Sequence, residues 1–223
     1  MIDQTSWWQL ALIGAMTTPL MYAFIATFVS ICSGELFNKG IRHHIIRDIK
    51  GSMKLLMTGS FVNGLFLCFI RDSSLSRLHH EDITRTDFLM FPLVLLTTDI
   101  VFYIGHRLLH LNLFYLMFHK THHQSSPATS YATLNLGLVD YLIEGPLAAF
   151  LPAFLIPINF NLFYLTTVFN LLWGCYLHNY SCHSLGSIIS SSEKHQIHHS
   201  HGWINSNFGY YTCIWDHLLG TYH

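Results

Sequence analysis

Charge is what this 223-residue sequence has least of. Its 11 Lys and Arg and 12 Asp and Glu make up 10% of the chain, against about 25% in a soluble domain. Together with 51% hydrophobic residues and a mean hydropathy of +0.37, that deficit excludes an ordinary soluble surface and points to one membrane bundle. A net charge of -1 sets up no basic field, so nucleic acid is excluded as a partner. The five cysteines contain no CxxC, and three lie in or beside apolar runs. Free, buried thiols on a reducing side are therefore expected, not a disulfide framework. GxGxxG is missing, so the chain brings no dinucleotide or flavin fingerprint of its own. HExxH is missing too, and no carboxylate lies inside the histidine motifs, which excludes the zincin type of hydrolase. No cleavable leader is evident, because the N-terminus has no basic segment and its first apolar run is too long for one. Internal repeats and low-complexity segments are also lacking.

Histidine is what the chain has in excess. Of 17 histidines, eight fall in three short clusters: His106 and His110 in HRLLH; His119, His122 and His123 in HKTHH; His195, His198 and His199 in HQIHH. Residues three and four apart on a helix share a face, so each cluster can aim its rings together. Neutral imidazole is the commonest protein metal ligand and suits iron, zinc and copper. Eight such ligands exceed what one ion holds, and a dinuclear site is expected.

Hydropathy and parity place these clusters on one side of a membrane. Trp7 to Cys32 is apolar and uncharged, long enough for a span of about 20 residues. Trp7 and Trp8 suit the interface, and Pro19 predicts a kink. Between Lys39 and Lys54 lie five Lys and Arg, read as a cytosolic loop. Residues 55–70 form a second run, short for a span, and residues 71–87 a polar link. Residues 88–105 form a third run, which returns the chain to the cytosolic side at His106. Residues 123–140 read as a polar loop over the metal site. Residues 142–158 and 160–177, broken at Pro157 and Asn159, predict a hairpin that dips into the bilayer and returns His178 to the same face. The expected architecture is an all-α integral membrane helical bundle of four to five membrane runs with a cytosolic, His-rich cap. Residues 1–87 supply N-terminal helices and the basic loop, and residues 88–223 the metal-binding domain.

Many neutral imidazoles at a membrane surface suit two iron ions that use dioxygen on an unactivated C–H bond. The substrate would be apolar, and the electrons would come from outside. Asp99 is an ionisable residue inside a span, and hence a functional candidate. It is expected either to accept a ring N–H from a ligating histidine or to serve as a cap or a partner of Arg107. His178 is taken as a ninth ligand. His183 and His201 are weaker candidates, and His43, His44, His79, His80, His217 and His223 are expected to be solvated. Glu144 is read as orienting a ligand or a substrate hydroxyl, or as a helix cap.

From Asp99 through HRLLH, FHKTHH and HQIHH to Asn207-Phe208-Gly209 and the WDHLLGT ending at Thr221, the sequence resembles the sterol desaturase/fatty acid hydroxylase superfamily of integral-membrane, non-haem diiron enzymes. The likeness covers residues 88–223. It implies that the eight clustered histidines ligate two irons, with His178 where the family carries a further histidine. It implies hydroxylation or desaturation of a sterol or fatty acyl lipid, with sterols the first guess from the C-terminal pattern. Electrons would come from a carrier such as cytochrome b5 and its reductase. One departure from the family is that the sequence stops at His223 with little tail and no fused cytochrome domain. His217 stands where the family often has arginine. The endoplasmic reticulum and a bacterial inner membrane both fit. The competing reading is a membrane metal-binding protein or transporter without oxygenase activity.

Overall fold

A computed structural model of the chain describes residues 6–200 and 202–223. Six long or bent helices make the bundle: α1 (Trp7–Cys32), α2 (Arg42–Asp72), α3 (Arg85–Leu109), α4 (112–123), α5 (Leu138–Leu155) and α6 (Phe160–Leu177). Two short helices, α7 (Ser192–His198) and α8 (Ile214–Leu219), follow. Among the described residues four helices, α1, α3, α5 and α6, are long and apolar enough to cross a membrane, and α2, bent by 46° near its middle, makes a fifth if its two halves are one span. This is an all-α integral membrane bundle. Along α1, Met16, Leu20 and Phe24 lie four residues apart and are 70% or more exposed, a stripe suited to lipid. Where α1 meets α2, a Cβ on Gly14 would come within 2.9 Å of the Gly64 Cα, and the missing side chains let the two backbones approach.

Two core clusters sit at opposite ends of the bundle. Near the histidines, Tyr22, Ile25, Ala26 and Val29 of α1 pack with Ile41, Ile45, Tyr131 and Cys175. At the far end, Ile70, Val94, Phe150 and Phe163 pack around Ile156 and Ile158. The expected break at Pro157 and Asn159 is present. Strand β2 (Ile158–Asn159) pairs parallel with β1 (Leu78–His79), and the Asn159 side chain caps α6 by accepting from the Asn161 N–H. Between the two clusters a cavity of about 570 Å³ is walled mainly by apolar residues of α1, α2, α3, α5 and α6.

Three expectations are corrected here. The basic stretch is not a loop, because residues 42–54 form the first half of α2. Ile41, Ile45, Asp48, Ser52 and Leu55 are all buried at helical spacing. Two of those five are polar, so the apolar period was interrupted. Residues 124–137 are irregular, as the expected loop requires. Ser125, Thr129 and Ser130 are fully buried because two carboxylates from the first third of the chain hold them. Asp48 accepts from Ser125 Oγ and from the Thr129 N–H and Oγ1. Glu35 accepts from the Ser130 N–H and, beside His178, from Asn179 Nδ2. Among the histidines expected to be solvated, His44 and His79 are half-buried: His44 Nδ1 lies 3.1 Å from an Arg47 guanidinium nitrogen and His79 Nε2 2.8 Å from Asp87 Oδ1. The cysteines are all free, but Cys32 and Cys182 are exposed and only Cys68, Cys175 and Cys213 are buried.

Candidate metal centre

The helices deliver nine histidines to one end of the bundle, and these divide into two groups. One ring nitrogen from each of His106, His110, His119, His123 and His198 lies within 4.8 Å of the others, and so it is for His122, His178, His195 and His199. Helical geometry explains the division. Pairs four apart, His106 with His110, His119 with His123 and His195 with His199, share a face. Adjacent histidines point about 100° apart on a helix of 3.6 residues per turn, so His122 and His123 part company, as do His198 and His199. A π turn over Tyr115–His119 re-aims His119 within α4, as such turns do at functional sites.

All nine rings are at most 8% exposed. Burial pushes His110, His119, His122, His123, His195 and His199 below the ordinary imidazole range, and neighbouring histidines add to the shift. His178 and His198 are pushed down to about 4, again chiefly by burial. Neutral rings keep a lone pair for a cation.

Hydrogen bonds decide which nitrogen offers it. The Nδ1 atoms of His106, His178 and His198 face the carbonyls of Phe208 (3.3 Å), Gly174 (2.8 Å) and Ser206 (2.7 Å), and His119 Nδ1 faces Asp140 Oδ1 at 3.0 Å. An N–H donated there leaves Nε2 as the acceptor. The Nε2 atoms of His106, His119 and His198 are buried with no hydrogen-bond partner, as are the Nδ1 atoms of His110, His122, His123 and His199. Elsewhere Nε2 atoms face each other: His110 with His123 at 3.2 Å, His122 with His178 at 3.1 Å, His178 with His195 at 3.0 Å. Two donors at right angles on bonds of about 2.1 Å stand about 3.0 Å apart. Unpartnered buried nitrogens are costly and facing lone pairs repel; a cation would meet the free Nε2 atoms of His106, His119 and His198 in one group and the facing Nε2 atoms of His122, His178 and His195 in the other. The residues therefore fit two metal ions.

Asp99 differs from both readings offered for it. Its oxygens accept from the Tyr211 and Thr212 N–H groups, Thr212 Oγ1 and Trp215 Nε1. It thus anchors the C-terminal segment, while Arg107 donates to the Tyr103 hydroxyl. A carboxylate within hydrogen-bond distance of a clustered histidine is that of Asp140, which sequence reasoning passed over although it is an ionisable residue entering an apolar run. Asp216, also missed, accepts from the N–H groups of Phe208 and Gly209 and so fixes the loop whose carbonyls hold His106 and His198. Glu144 Oε1 lies 3.7 Å from His106 Nε2. His183 is exposed and belongs to neither group, and His201 lies outside the described residues.

A family model described as "Fatty acid hydroxylase" matches residues 91–221, which contain every histidine of both groups. The chain is 31% identical over 136 residues to a probable Delta(7)-sterol 5(6)-desaturase of Neurospora crassa, covering 61% of this chain and 39% of that protein. Two Delta(7)-sterol 5(6)-desaturases of Aspergillus fumigatus are 28% and 33% identical over 189 and 191 residues. Each match covers 82% of this chain, and 55% and 52% of those proteins respectively. The chain thus spans about half or less of the length of these relatives. No solved structure matches it.

Proposed function

Because the chain belongs to the fatty acid hydroxylase family, we propose that it is a membrane-bound oxidoreductase that hydroxylates or desaturates a lipid with dioxygen. A sterol is the first candidate substrate and a fatty acyl lipid the second; the sterol desaturases among its relatives support that order. Residues 88–223 are the working segment, and residues 1–87 brace it. His106, His110, His119, His123 and His198 hold one iron ion, and His122, His178, His195 and His199 the other. The observation that carries this reading is two adjoining groups of buried, neutral imidazoles at the end of an apolar cavity that His178 and His195 border.

When bound, an iron pair supplies dioxygen-dependent cleavage of an unactivated C–H bond, fed by two external electrons per turnover. The protein's own contribution is positioning. Carbonyls of Phe208, Ser206 and Gly174 and the carboxylate of Asp140 fix the rings. Burial keeps them unprotonated and excludes water. The cavity takes the lipid from the bilayer and brings it against His178 and His195. A separate one-electron carrier, cytochrome b5 or a similar protein, and its reductase are the partners. The metal end faces the cytosol, at the endoplasmic reticulum or a bacterial inner membrane. Supporting this, Arg47 of the basic half of α2 donates to the Pro127 carbonyl beside the histidines, so the positive residues lie at the metal end.

Purified protein should contain two irons per chain and consume little oxygen alone. Adding carrier, reductase and a lipid panel should start oxygen uptake matched to lipid product. Product formed without dioxygen or without a donor would rule the reaction out. Two metals with no uptake on any lipid would favour a metal-binding protein instead.

A further inference from the structure

Helix α5 carries two acidic side chains into the bundle beside the five-histidine group. Asp140 and Glu144 are four residues apart, and Glu144 lies in a π turn, Ile143–Leu147, that also contains Pro146. Proline offers no N–H to the preceding turn, and the widened turn re-aims the side chains around it. Asp140 is fully buried and the Glu144 side chain only 8% exposed. Asp140 uses Oδ1 on His119, but its Oδ2 and Glu144 Oε1 have no hydrogen-bond partner. One oxygen from each carboxylate and a ring nitrogen of His119 lie within 4.8 Å of one another. Two carboxylates this close and this dry need a cation or a shared proton to offset them.

The position of Glu144 favours the cation. Its Oε1 is 3.7 Å from His106 Nε2, the nitrogen left free when Nδ1 faces the Phe208 carbonyl. Donors on bonds of about 2.1 Å stand about 3.0 Å apart at right angles and about 4.2 Å apart when opposite, and 3.7 Å falls between. We infer that Glu144 is an oxygen ligand of the metal held by His106, His110, His119, His123 and His198. This rests on the dinuclear reading above and adds to it a mixed nitrogen and oxygen donor set. Asp140 then braces His119 beside that metal. The donors are shared unequally: five imidazoles and a carboxylate for one ion, four imidazoles for the other. Both donor sets reach the cavity, His178 and His195 from the four-imidazole set and Glu144 from the other.

Cobalt(II) loading of the full chain in detergent tests this, with chelator competition and visible absorption as readouts. The wild type should take two ions of distinguishable spectrum. Glu144→Gln, similar in size, should weaken one ion at least about ten-fold and change its absorption, leaving the other unchanged. His122→Ala should affect the opposite ion. Infrared difference spectra of the wild type with and without metal, with ¹³C-labelled glutamate, need no variant and should show a glutamate carboxylate stretch that moves on loading. Glu144→Gln with wild-type affinity and absorption for both ions, or no labelled carboxylate shift, would overturn the ligand assignment and leave the dinuclear reading standing. A wild type that binds fewer than two ions would overturn both.

Discussion

Replacing Asp99 by asparagine separates a carboxylate that holds the C-terminal segment from one that orients a histidine. Asp99 is 1% exposed. Oδ1 receives the Tyr211 N–H at 2.6 Å and the Thr212 N–H at 3.3 Å, and Oδ2 receives Thr212 Oγ1 at 2.6 Å and Trp215 Nε1 at 3.0 Å. In Asp99→Asn one oxygen still serves the two backbone donors. An NH₂ replaces the other oxygen. The Thr212 hydroxyl can rotate and accept from it, but an indole N–H can only donate. One buried donor is left facing another, at a cost of about 1–3 kcal/mol. For a chain of this size that lowers Tm by roughly 2–12 °C. The loss should extend to metal content, because the same C-terminal region contains the Phe208 and Ser206 carbonyls that hold His106 and His198. Trp215→Phe removes the conflicting N–H, so in the Asp99→Asn background it should restore part of the lost Tm. The assay is a double-mutant cycle read by thermal unfolding in detergent and by iron per chain. Asp99→Asn with wild-type Tm and iron, or losses that simply add in the double variant, would refute the anchoring role.

His122→Ala and His198→Ala should each lose metal and activity, one from each group, and full metal and turnover in both would place the site elsewhere. Asp140→Asn should lower metal affinity about 10- to 100-fold while the chain still folds, measured by chelator competition; unchanged affinity would remove Asp140 from the support of His119. Acid should destabilise the metal-free chain. His178 and His198 resist protonation down to about 4 when folded but accept a proton below about 6.5 when unfolded. Stability is therefore complete above about pH 6.5 and falls toward pH 4, by on the order of 3 kcal/mol per histidine; a Tm that is flat across that window refutes the burial argument. A tag placed after His223 should be cut by protease from the cytosolic side only, and a protected tag would reverse the topology.

Much of this protein can be read from local pattern. Apolar runs near 20 residues mark α1, α3, α5 and α6 because burying a backbone in lipid is a matter of length and composition. Eight of the histidines could be named because ligand spacing on a helix is set by a period of 3.6, a property of neighbours in sequence, and His178 because the apolar hairpin ends there. The hairpin break at Pro157 and Asn159 is likewise a local backbone matter. Where the buried face was polar, the pattern failed: Asp48 and Ser52 interrupt the apolar period of α2, and their partners Ser125, Thr129 and the Tyr131 carbonyl lie 77 to 81 positions away.

The sequence by itself determined which residues supply the imidazoles and that they converge at one end of a membrane bundle. Only the tertiary structure decided how they divide five and four, which nitrogen each ring offers, and which carboxylate braces them. Asp99 looked equal to Asp140 in sequence, each an acid in or entering an apolar run. Asp140 faces His119, 21 positions away, while Asp99 closes on residues 211–215, more than 110 positions away. Spacing along a helix fixes direction around its own axis, but a hydrogen-bond partner on another element is set by how the helices pack.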